Sequence, residues 1–379
     1  MFSIPLTKNI QLEGDRTIWI TVFLLSLLSI LVVYSTAGWT FLFNHLIKLS
    51  LGIICMYIVH KWKFKYFSKI GLLSFWLSII LLLVVLTFGI TINGASRWLS
   101  LAGQRFQPSD IAKLAILLFM ARQLSKNRQF THTFKDLIWY VVSPLILICI
   151  LILPNNFSTS ALVFFNGLML LYLAKISIKH IMSIIILALF SAFLMYGIAK
   201  HTSLMQEIMP RSSTWVSRID SYFLSGDKEK LDKDYQVTQA LVAIKNGGLT
   251  GLGPGKSVQR NILPFSSSDF IFAIMVEEYG LILGGLAPLL LYLILLFRGL
   301  RIAMRTESLF GQLVVSGLMF SLVLQAFINI LVSVDILPVT GQTLPLISMG
   351  GTSILFTCIS IGIILSISRD STDRNYENI

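Results

Sequence analysis

Residues 247–278 read GGLTGLGPGKSVQRNILPFSSSDFIFAIMVEE, and the change of character within this stretch decides the fold. Residues 200–269 contain no apolar run of membrane length, and they end in a single acid, Asp269. A continuous apolar run begins directly after that acid. A lone carboxylate at such a boundary, behind a glycine-rich basic segment, suggests chemistry on a molecule that is both anionic and lipid-bound.

The composition places the chain among membrane proteins. Its 379 residues are 55% hydrophobic and only 13% charged, with a mean hydropathy of +0.80. A soluble domain cannot bury that much apolar surface, so we predict a polytopic membrane protein. The spans are predicted to be helices, because the alternating pattern of a barrel is absent. Cys55, Cys149 and Cys358 lie inside apolar runs and show neither disulfide nor metal spacing.

The apolar runs predict an all-α fold with about ten transmembrane helices in a single integral membrane domain, residues 1–379. Each run approaches the ~20 residues that a crossing needs. The first has no small-residue cleavage site after it, so we interpret it as an anchor rather than a signal peptide. The eighth is long, and Gly280, Gly284 and Gly285 are expected to bend it. The predicted spans are 17–36, 42–60, 70–90, 108–124, 137–153, 159–175, 180–199, 270–297, 309–334 and 351–368.

The distribution of charge predicts the orientation. With the N-terminus in the cytoplasm, the short outer loops hold only Arg97 and Arg105, and the cytoplasmic segments are rich in basic residues. This bias places the tails 1–16 and 369–379 in the cytoplasm. It also accounts for most of the net charge of +12 without nucleic acid as a partner. The cytoplasmic basic residues are Lys8, Arg16, Lys61, Lys63, Lys65, Lys69, Arg122, Lys126, Arg128, Lys135, Lys175, Lys179, Arg298, Arg301, Arg305, Arg369 and Arg374.

The predicted topology places three segments on the outer face, namely 91–107, 200–269 and 335–350. The extracytoplasmic loop 200–269, between the seventh and eighth helices, is expected to be folded, because a structureless loop of this length is unusual. Its mixed-charge run 227–234 is expected to be a solvated turn. An earlier part of the loop fits an amphipathic helix along the membrane interface. The residues that suggest this helix are Arg211, Trp215, Arg218 and Tyr222.

The first outer loop and the helix after it hold a group of charged residues. Pro108 suits a helix start, and Asp110 suits its first turn. Asp110 and Lys113 are three residues apart and share a face of the helix. A lysine at this depth is a candidate for function, or Asp110 simply pairs with it as a structural contact. Arg97 and Arg105 flank the same entrance, where guanidinium groups fit phosphate oxygens or contact lipid headgroups.

The GLGPGKS run invites comparison with a nucleotide-binding loop but does not match one. That loop needs a glycine at position 250, which is Thr250. We therefore expect tight turns and close backbone approach there. Asp269 suits either chemistry or the N-cap of the helix that it begins. Glu277 and Glu278 need partners or water inside a span, and no His cluster, Ser-His-Asp set or Cys/His metal set is visible.

Four regions of the chain resemble a known family. They are GASRWLSL with QPSDIAKLA between 94 and 115, YQVTQALVAIKNGGLTGLG at 235–253, LPFSSSDFIFAIMVEEYGLILGG at 263–285 and LPVTGQTLPLISMGGTS at 337–353. Their order and spacing are similar to those of the SEDS family of bacterial shape, elongation, division and sporulation proteins, which includes FtsW, RodA and SpoVE. The resemblance covers nearly the whole chain.

The resemblance implies a peptidoglycan glycosyltransferase of the bacterial cytoplasmic membrane that polymerises lipid II on the outer face. It implies a class B penicillin-binding protein and other division proteins as partners. Asp269 matches the family's essential acid, and Arg105 and Lys113 match its functional basic residues. Arg97 and Lys256 join them as substrate-binding candidates. The supporting candidates are Trp98, Gln107, Pro108, Asp110, Glu277 and Glu278.

The chain departs from the family pattern at several acidic positions. Asp110 stands where Glu is usual, and Phe265 stands where a Glu usually precedes the key segment. Serines at 266–268 replace the usual His and Thr. The family's Pro-Asp-x-Gly-Thr motif is replaced by a sequence that begins Pro-Asn-Asn at 154–156. These losses leave Asp269 as the main acid of its loop. The sequence TGQTLPLIS and the sequence GDRTIWI near the N-terminus are more similar to FtsW than to RodA. This similarity favours septal synthesis over elongation.

The resemblance also implies a mechanism. Asp269 acts as general base on an acceptor sugar hydroxyl, while Arg105, Lys113 and Arg97 hold the donor's pyrophosphate. A divalent cation, Mg²⁺ or Mn²⁺, is a candidate to bridge that pyrophosphate, and no protein ligand is assigned to it. Two alternatives stay open. One is a transporter that flips the same precursor, and the other is a scaffold that recruits and activates a penicillin-binding protein.

Overall fold

The structure is a computed structural model that describes residues 12–92, 95–101, 104–126, 134–201, 212–223 and 235–377. Two π-helical turns, Ile138–Val142 and Leu281–Leu286, and one 3₁₀ turn, Gln259–Asn261, interrupt or join its α-helices. The α-helices are α1 (Arg16–His60), α2 (Lys65–Phe88), α3 (Pro108–Lys126), α4 (Phe134–Leu137), α5 (Ser143–Ile152), α6 (Phe157–Leu173), α7 (Ile178–His201), α8 (Ser212–Phe223), α9 (Tyr235–Gly247), α10 (Ile271–Gly280), α11 (Ala287–Arg305), α12 (Leu309–Ser333) and α13 (Thr352–Glu377).

Seven of the described helical segments are long and apolar enough to cross a membrane, judged by length and composition. A helical chain with that many spans is a multi-pass membrane protein, as the composition predicts. Each predicted span contains a helix, but the number of ten crossings stays a prediction, because α6 is shorter and α3 lies outside the seven. The seven are Arg16–His60, Lys65–Phe88, Phe134–Ile152, Ile178–His201, Ile271–Arg305, Leu309–Ser333 and Thr352–Asp370.

Helix α1 consists of two arms that fold back on each other at Gly38. That glycine has φ +76° and ψ −179°, which is not helical. Ser29 and His45 are 16 residues apart, which is ~24 Å along a straight helix, yet Ser29 Oγ lies 2.7 Å from His45 Nε2. Trp19 and His60 likewise form an edge-to-face ring pair. The two arms therefore correspond to the first two predicted spans.

The helices pack around α12. In the apolar window of α12, 67% of the residues are buried, whereas the corresponding figure for α7 is 11%. Helix α13 packs against α1, and α2 packs against α3. The main core is a cluster of apolar side chains drawn from nearly all the long helices, with α12 at its centre and α7 at its edge. A second, smaller cluster joins α9, α10 and the end of α12.

The segment predicted as the first outer loop forms a small antiparallel sheet of three strands, which departs from an all-α fold. The strands are β1 (Ile90–Ile92), β2 (Ala95–Leu101) and β3 (Gln104–Phe106), in the order β1-β2-β3. They contain Ile, Thr, Trp and Phe, residue types that are enriched in strands. The register Ser100↔Arg105 places β3 beside β2. The helix predicted to begin at Pro108 follows directly.

The eighth predicted span is broken at Gly280, where φ is +74° and ψ is 175°. This region of φ and ψ is accessible almost only to glycine. Helix α10 ends there, and a π-helical turn leads into α11. Gly284 folds back on α10, because a Cβ at that glycine would lie 2.0 Å from the carbonyl oxygen of Met275. The bend expected near these glycines is confirmed and takes the form of a break.

The glycine-rich segment, residues 247–253, supplies hydrogen bonds to this break. Leu252 N and Gly253 N donate to the carbonyl oxygens of Glu277 and Glu278, each at 2.9 Å. In return, Leu281 N donates to a carbonyl of the glycine-rich segment. A Cβ at Gly251, where φ is +82°, would lie 2.3 Å from the Glu278 carbonyl oxygen. The glycines therefore allow turns and close backbone approach, as the sequence predicts.

The segment 200–269 is folded where it is described. Helix α8 covers the predicted amphipathic stretch, although Arg211, the run 227–234 and the side chains of Arg218 and Tyr222 lie outside the described residues. Tyr196 and Lys200 of α7 both donate hydrogen bonds to Asp220 of α8, and this lowers the pKa of the Asp220 carboxyl. Helix α9 packs its buried residues against α10 and α12. The position of α8 at a membrane interface stays a prediction.

Candidate functional site

An ion pair between Asp110 and Lys113 lies at the start of α3. Asp110 is in the first helical turn and Lys113 follows one turn later, and their Oδ1 and Nζ atoms are 3.0 Å apart. The Asp110 side chain is 5% exposed and that of Lys113 is 15% exposed. Thr352 Oγ1 donates to Asp110 Oδ2 at 3.0 Å, and Lys113 Nζ donates to Gln325 Oε1 at 3.4 Å. The predicted pairing is confirmed, and three helices take part in it.

The sheet packs against the start of α13 beside this ion pair. A Cβ at Gly351 would lie 3.5 Å from the ring of Trp98 and 3.7 Å from the carbonyl oxygen of Arg105. Gln107 N donates to Thr352 Oγ1 at 3.2 Å. The structure thus brings Trp98, Arg105 and Gln107 next to Asp110 and Lys113, and it leaves the Arg105 side chain exposed.

Arg97 makes a contact with the turn before α6. Its Nε donates to the carbonyl oxygen of Asn155 at 2.7 Å, and the backbone N of Ser96 donates to Asn155 Oδ1 at 3.2 Å. Asn156 then caps α6 by accepting a hydrogen bond from Thr159 N. Arg97 therefore joins strand β2 to the start of α6, and its binding of substrate stays a prediction.

Below the ion pair, α3, α12 and α13 line an open cleft, here called the lysine cleft, with about 470 Å³ of atom-free space that includes open solvent. Its lining mixes charged, amide and hydroxyl side chains with leucines, a proline and a phenylalanine. This arrangement fits a ligand with a charged group and an apolar chain. The lining residues are Asp110, Lys113, Leu114, Leu117, Leu318, Ser321, Leu322, Gln325, Pro345, Ser353, Phe356, Thr357 and Ser360.

Asp269 is not the N-cap of the following helix, so the expectation that it begins that helix is wrong. Helix α10 starts at Ile271, and its N-cap residue is Phe270, which makes no side-chain capping bond. Asp269 lies instead in a turn in which Ser268 N and Asp269 N both donate to the carbonyl oxygen of Phe265. Phe265 has φ +59°, a conformation that the sequence does not announce for a phenylalanine. The apolar run begins at Phe270, but Phe270 still belongs to this turn, so α10 begins only at Ile271.

The clamped segment, Gln342–Met349, runs through the bundle without regular structure. Irregular backbone inside a membrane protein must find hydrogen bonds within the protein. Side chains of α12 provide two of them, since Asn329 Nδ2 donates to Gln342 O at 2.7 Å and Gln325 Nε2 donates to Thr343 O at 2.9 Å. Buried Tyr292 of α11 donates from its hydroxyl to Pro345 O.

The clamped segment also holds the loop of Asp269. Ser348 Oγ donates to Ser268 O at 2.6 Å, and Met349 N donates to Ser267 O at 2.8 Å. Asn329 Nδ2 donates to the carbonyl oxygen of Asp269 at 2.7 Å. The Oδ2 atom of Asp269 lies 3.6 Å from the position that a Cβ of Gly341 would occupy. One segment thus borders the predicted catalytic acid and, through Pro345, the lysine cleft.

Sequence reasoning missed most of these positioning residues. Gln325 and Asn329 stand out as polar residues in an apolar helix, which is a usable signal, but nothing in the sequence indicates which carbonyls they bind. Gln342, Ser348 and Thr352 lie in the motif at 337–353, where they carry the family resemblance without an assigned role.

The remaining candidates form a second group beneath the glycine-rich segment. Glu277 is buried and accepts hydrogen bonds from Ser257 Oγ, from Gln259 N at 3.2 Å and from Asn246 Nδ2 at 3.4 Å. Glu278 is buried and accepts from Ser35 Oγ. Arg260 was not among the predicted residues, yet its Nη1 donates to Ser35 O at 2.9 Å.

Lys256 lies exposed on the turn next to Ser257. Glu277 therefore anchors the turn that carries Lys256, whereas Glu278 is held by Ser35 of α1. Among the described residues, Glu278 Oε2 has no hydrogen-bond partner. Among the residues that the structure describes, no three His, Cys, Asp or Glu side chains group closely enough to hold a metal ion.

Residues 15–373 match the family model of the FtsW, RodA and SpoVE proteins, described as cell cycle proteins. The chain is 32% identical over 361 residues to the peptidoglycan glycosyltransferase MrdB of Escherichia coli (strain K12), with 93% of each protein covered. It is 33% identical over 346 residues to the probable peptidoglycan glycosyltransferase FtsW of Hydrogenovibrio crunogenus, which covers 89% of this chain and 84% of the relative.

A solved structure described as the structural coordination of polymerization and crosslinking by a peptidoglycan synthase complex contains a chain of the same fold. The TM-score is 0.76 at 24% sequence identity, and the match covers 94% of this chain and 98% of that one. The match in sequence extends over nearly all the described helices, including α3, α10 and the clamped segment. By sequence and by fold, the chain belongs to the FtsW, RodA and SpoVE family of cell cycle proteins.

Proposed function

We propose that the chain is a peptidoglycan glycosyltransferase that polymerises lipid II, with Asp269 as its general base. The names of its relatives support the reaction class. The observation that carries the proposal is the clamped segment, which borders Asp269 at one end and the lysine cleft at the other. An acid and a cation served by one rigid segment suit a reaction between two parts of an anionic, lipid-linked substrate.

The proposed reaction forms one glycosidic bond and breaks one bond to phosphate. The Asp269 carboxylate takes the proton from an acceptor sugar hydroxyl, and that oxygen attacks the anomeric carbon of the donor. The bond from this carbon to the pyrophosphate oxygen breaks, and the lipid pyrophosphate leaves with the bonding electrons. A positioned base contributes ~10²–10⁴-fold to such a step.

Lys113 and Arg105 would stabilise the charge that develops on the leaving pyrophosphate. Lys113 is held by Asp110 and Gln325, so its ammonium group has a fixed place in the lining of the lysine cleft. The exposed Arg105 on β3 supplies a fork of donors close by. The leucines and the phenylalanine of the lining supply apolar contacts for the lipid chain. Fixed charges of this kind act most strongly where water is excluded.

The partner and the cation are separate proposals. The peptidoglycan synthase complex with the same fold supports a class B penicillin-binding protein as partner, with other division proteins around the pair. Mg²⁺ or Mn²⁺, if it takes part, would be held by the pyrophosphate, because the described residues offer no cluster of ligands for it. The septal role rests on the FtsW-like sequence motifs alone, because the FtsW and MrdB relatives are 33% and 32% identical to this chain.

Polymerisation of lipid II by the purified complex tests the proposal. The protein is reconstituted with a class B penicillin-binding protein, supplied with lipid II, and the products are separated by gel. We expect the wild type to form glycan polymer and Asp269→Asn to lose at least ~10²-fold in rate. Asp335→Asn is the control, because it makes the same change at an exposed aspartate outside the loop of Asp269.

The outcomes separate the alternatives. Polymer from Asp269→Asn at the wild-type rate contradicts the base assignment. No polymer from the wild type, together with movement of lipid II across liposomes, supports the transporter. No polymer and no transport, with increased crosslinking by the penicillin-binding protein, supports the scaffold.

A further inference from the structure

A buried pair, Ser29 and His45 of α1, also holds the clamped segment. Ser29 Oγ lies 2.7 Å from His45 Nε2 and 2.7 Å from the carbonyl oxygen of Ile347. Both side chains are buried, one in each arm of α1. The proposed mechanism assigns neither of them a role. They reach the clamped segment two residues before Met349, which donates to the loop of Asp269.

The direction of these hydrogen bonds follows from the inventory of protons. The Ile347 carbonyl can only accept, so the single hydroxyl proton of Ser29 is directed at it. The ring of His45 must then donate from Nε2–H to the Ser29 oxygen. Within the described part of the chain, His45 Nδ1 has no hydrogen-bond partner, which agrees with a neutral ring protonated on Nε2. The chain of donors therefore runs from His45 to Ser29 to Ile347.

The backbone that this chain fixes is strained. Leu346, immediately before Ile347, has φ +65° and is buried. A leucine in this region is strained and persists only where its surroundings determine the conformation. Tyr292 fixes the carbonyl on one side of Leu346 and Ser29 fixes the carbonyl on the other. Loss of either bond permits the segment to relax toward an ordinary conformation.

We propose that His45 and Ser29 are positioning residues for the glycosyl transfer, acting through Ile347, Ser348 and Met349 on the loop that carries Asp269. This inference rests on the proposed function and adds residues to it. Neither side chain lines the lysine cleft. The pair therefore sets the position of the acid without contributing to the binding of the lipid-linked donor.

The test compares variants that differ only in the hydrogen bond. Ser29→Ala removes the hydroxyl, Ser29→Thr keeps it, and His45→Phe removes the donor, which His45→Gln restores in part. Ser26→Ala is the matched control, because Ser26 is buried in the same arm and, among the described residues, its hydroxyl has no hydrogen-bond partner. For each variant, lipid II polymerisation gives kcat and KM, and thermal unfolding gives Tm.

We expect Ser29→Ala and His45→Phe to lower kcat between about 10-fold and 10²-fold, with KM for lipid II little changed. Ser29→Thr and His45→Gln should recover part of kcat, and Ser26→Ala should match the wild type. The inference is overturned if Ser29→Ala keeps the wild-type kcat, or if kcat falls only in proportion to the folded fraction. A wild type that forms no polymer would overturn the proposed function itself, whereas an active wild type with an active Ser29→Ala removes only this inference.

Discussion

Lys113 has two roles open to it that make opposite predictions for the same substitution. If it only stabilises the fold, its purpose is to neutralise the buried Asp110, 3.0 Å away. Removing one member of such a pair is costly, because the other charge is left buried without compensation. Removing both members then restores stability. If Lys113 also binds the pyrophosphate of the substrate, removing both charges restores stability but not activity.

We predict the second pattern for Lys113→Met and the double variant Asp110→Asn, Lys113→Met. The loss of a hydrogen bond to a charged group, about 1.5–3 kcal/mol, corresponds to a rise in KM for lipid II of roughly 10- to 100-fold. The single variant should lower Tm, and the double variant should recover Tm but keep the raised KM. Polymerisation kinetics and thermal unfolding of the same preparations provide the measurements. Wild-type KM in the double variant would show that the ion pair is purely structural.

For single residues, the sequence predicts contacts within a helix better than it predicts the path of the chain through a turn. The spacing of Asp110 and Lys113 predicts their pairing, because residues three apart on a helix share a face. The sequence predicts Asp269 at the start of α10, whereas Asp269 lies in the turn before that helix. The reason is the positive φ of Phe265, which wraps the chain into a turn before α10 begins. No local pattern announces that conformation in a phenylalanine.

The glycine-rich segment and α10 form a unit that depends on backbone contact rather than on side chains. The segment exchanges main-chain hydrogen bonds with residues on both sides of Gly280. The sequence predicts the turns and the close approach from the glycines, but it does not show that the partner is a broken helix in the next span. That knowledge requires the tertiary fold, since the two stretches are about thirty residues apart.

We predict that Gly251→Ala destabilises the protein strongly, whereas Gly248→Asn does not. A Cβ at Gly251 would lie 2.3 Å from the Glu278 carbonyl oxygen, and its φ of +82° adds strain. The left-handed backbone alone costs roughly 1–2 kcal/mol for an ordinary residue. Gly248 is the matched position, because its φ of +51° suits asparagine and a Cβ there would meet nothing within 4 Å.

Thermal unfolding in detergent measures both glycine variants. We expect a clear drop in Tm for Gly251→Ala and a Tm near that of the wild type for Gly248→Asn. Polymerisation by Gly251→Ala should fall as well, because the chain runs from this segment through Lys256 to Asp269. Equal Tm values for the two variants would contradict close packing of the segment on α10.

Across the whole molecule, contacts between distant parts of the chain close the bundle at the end opposite the sheet. Asp15 caps α1 by accepting from Thr17 N at 2.9 Å and also pairs with Arg298 of α11. Arg369 of α13 donates to the carbonyl oxygen of His60 at 2.9 Å. The sequence identifies Arg298 and Arg369 only as part of the charge bias. Their second use, as partners of specific groups, depends on which helix ends meet.

We predict that Asp15→Ala lowers the free energy of unfolding by about 1 kcal/mol more than Asp15→Asn does. Asparagine retains the cap but loses the ion pair with Arg298, whereas alanine loses both. Chemical or thermal unfolding of the two variants gives the difference, and kcat of the folded protein should stay near the wild-type value. Equal stability of the two variants would show that the cap contributes nothing.

The order of the helices along the chain is largely predictable from the apolar runs, but the number of crossings depends most on α3. This helix is less apolar than its neighbours because it carries Asp110, Lys113 and Arg122. Each of these charges is bonded inside the bundle, Arg122 to Ser68 at 2.6 Å among others. Its 19 residues span ~28 Å, close to the thickness of the hydrocarbon layer. We therefore predict that α3 crosses the membrane, although it is not among the seven segments that are long and apolar enough by composition.

Labelling of single introduced cysteines in cells tests this crossing and the predicted orientation together. Arg105→Cys and Lys126→Cys lie at opposite ends of α3, and both positions are exposed. We expect a membrane-impermeant maleimide to label Arg105→Cys in intact cells or spheroplasts, and Lys126→Cys only after permeabilisation. The native chain is the blank, because its three cysteines are at least partly buried and lie in helices. Labelling of both positions from one side would exclude the crossing, and the reverse pattern would place the sheet and Asp269 in the cytoplasm, where the proposed polymerisation of lipid II on the outer face cannot occur.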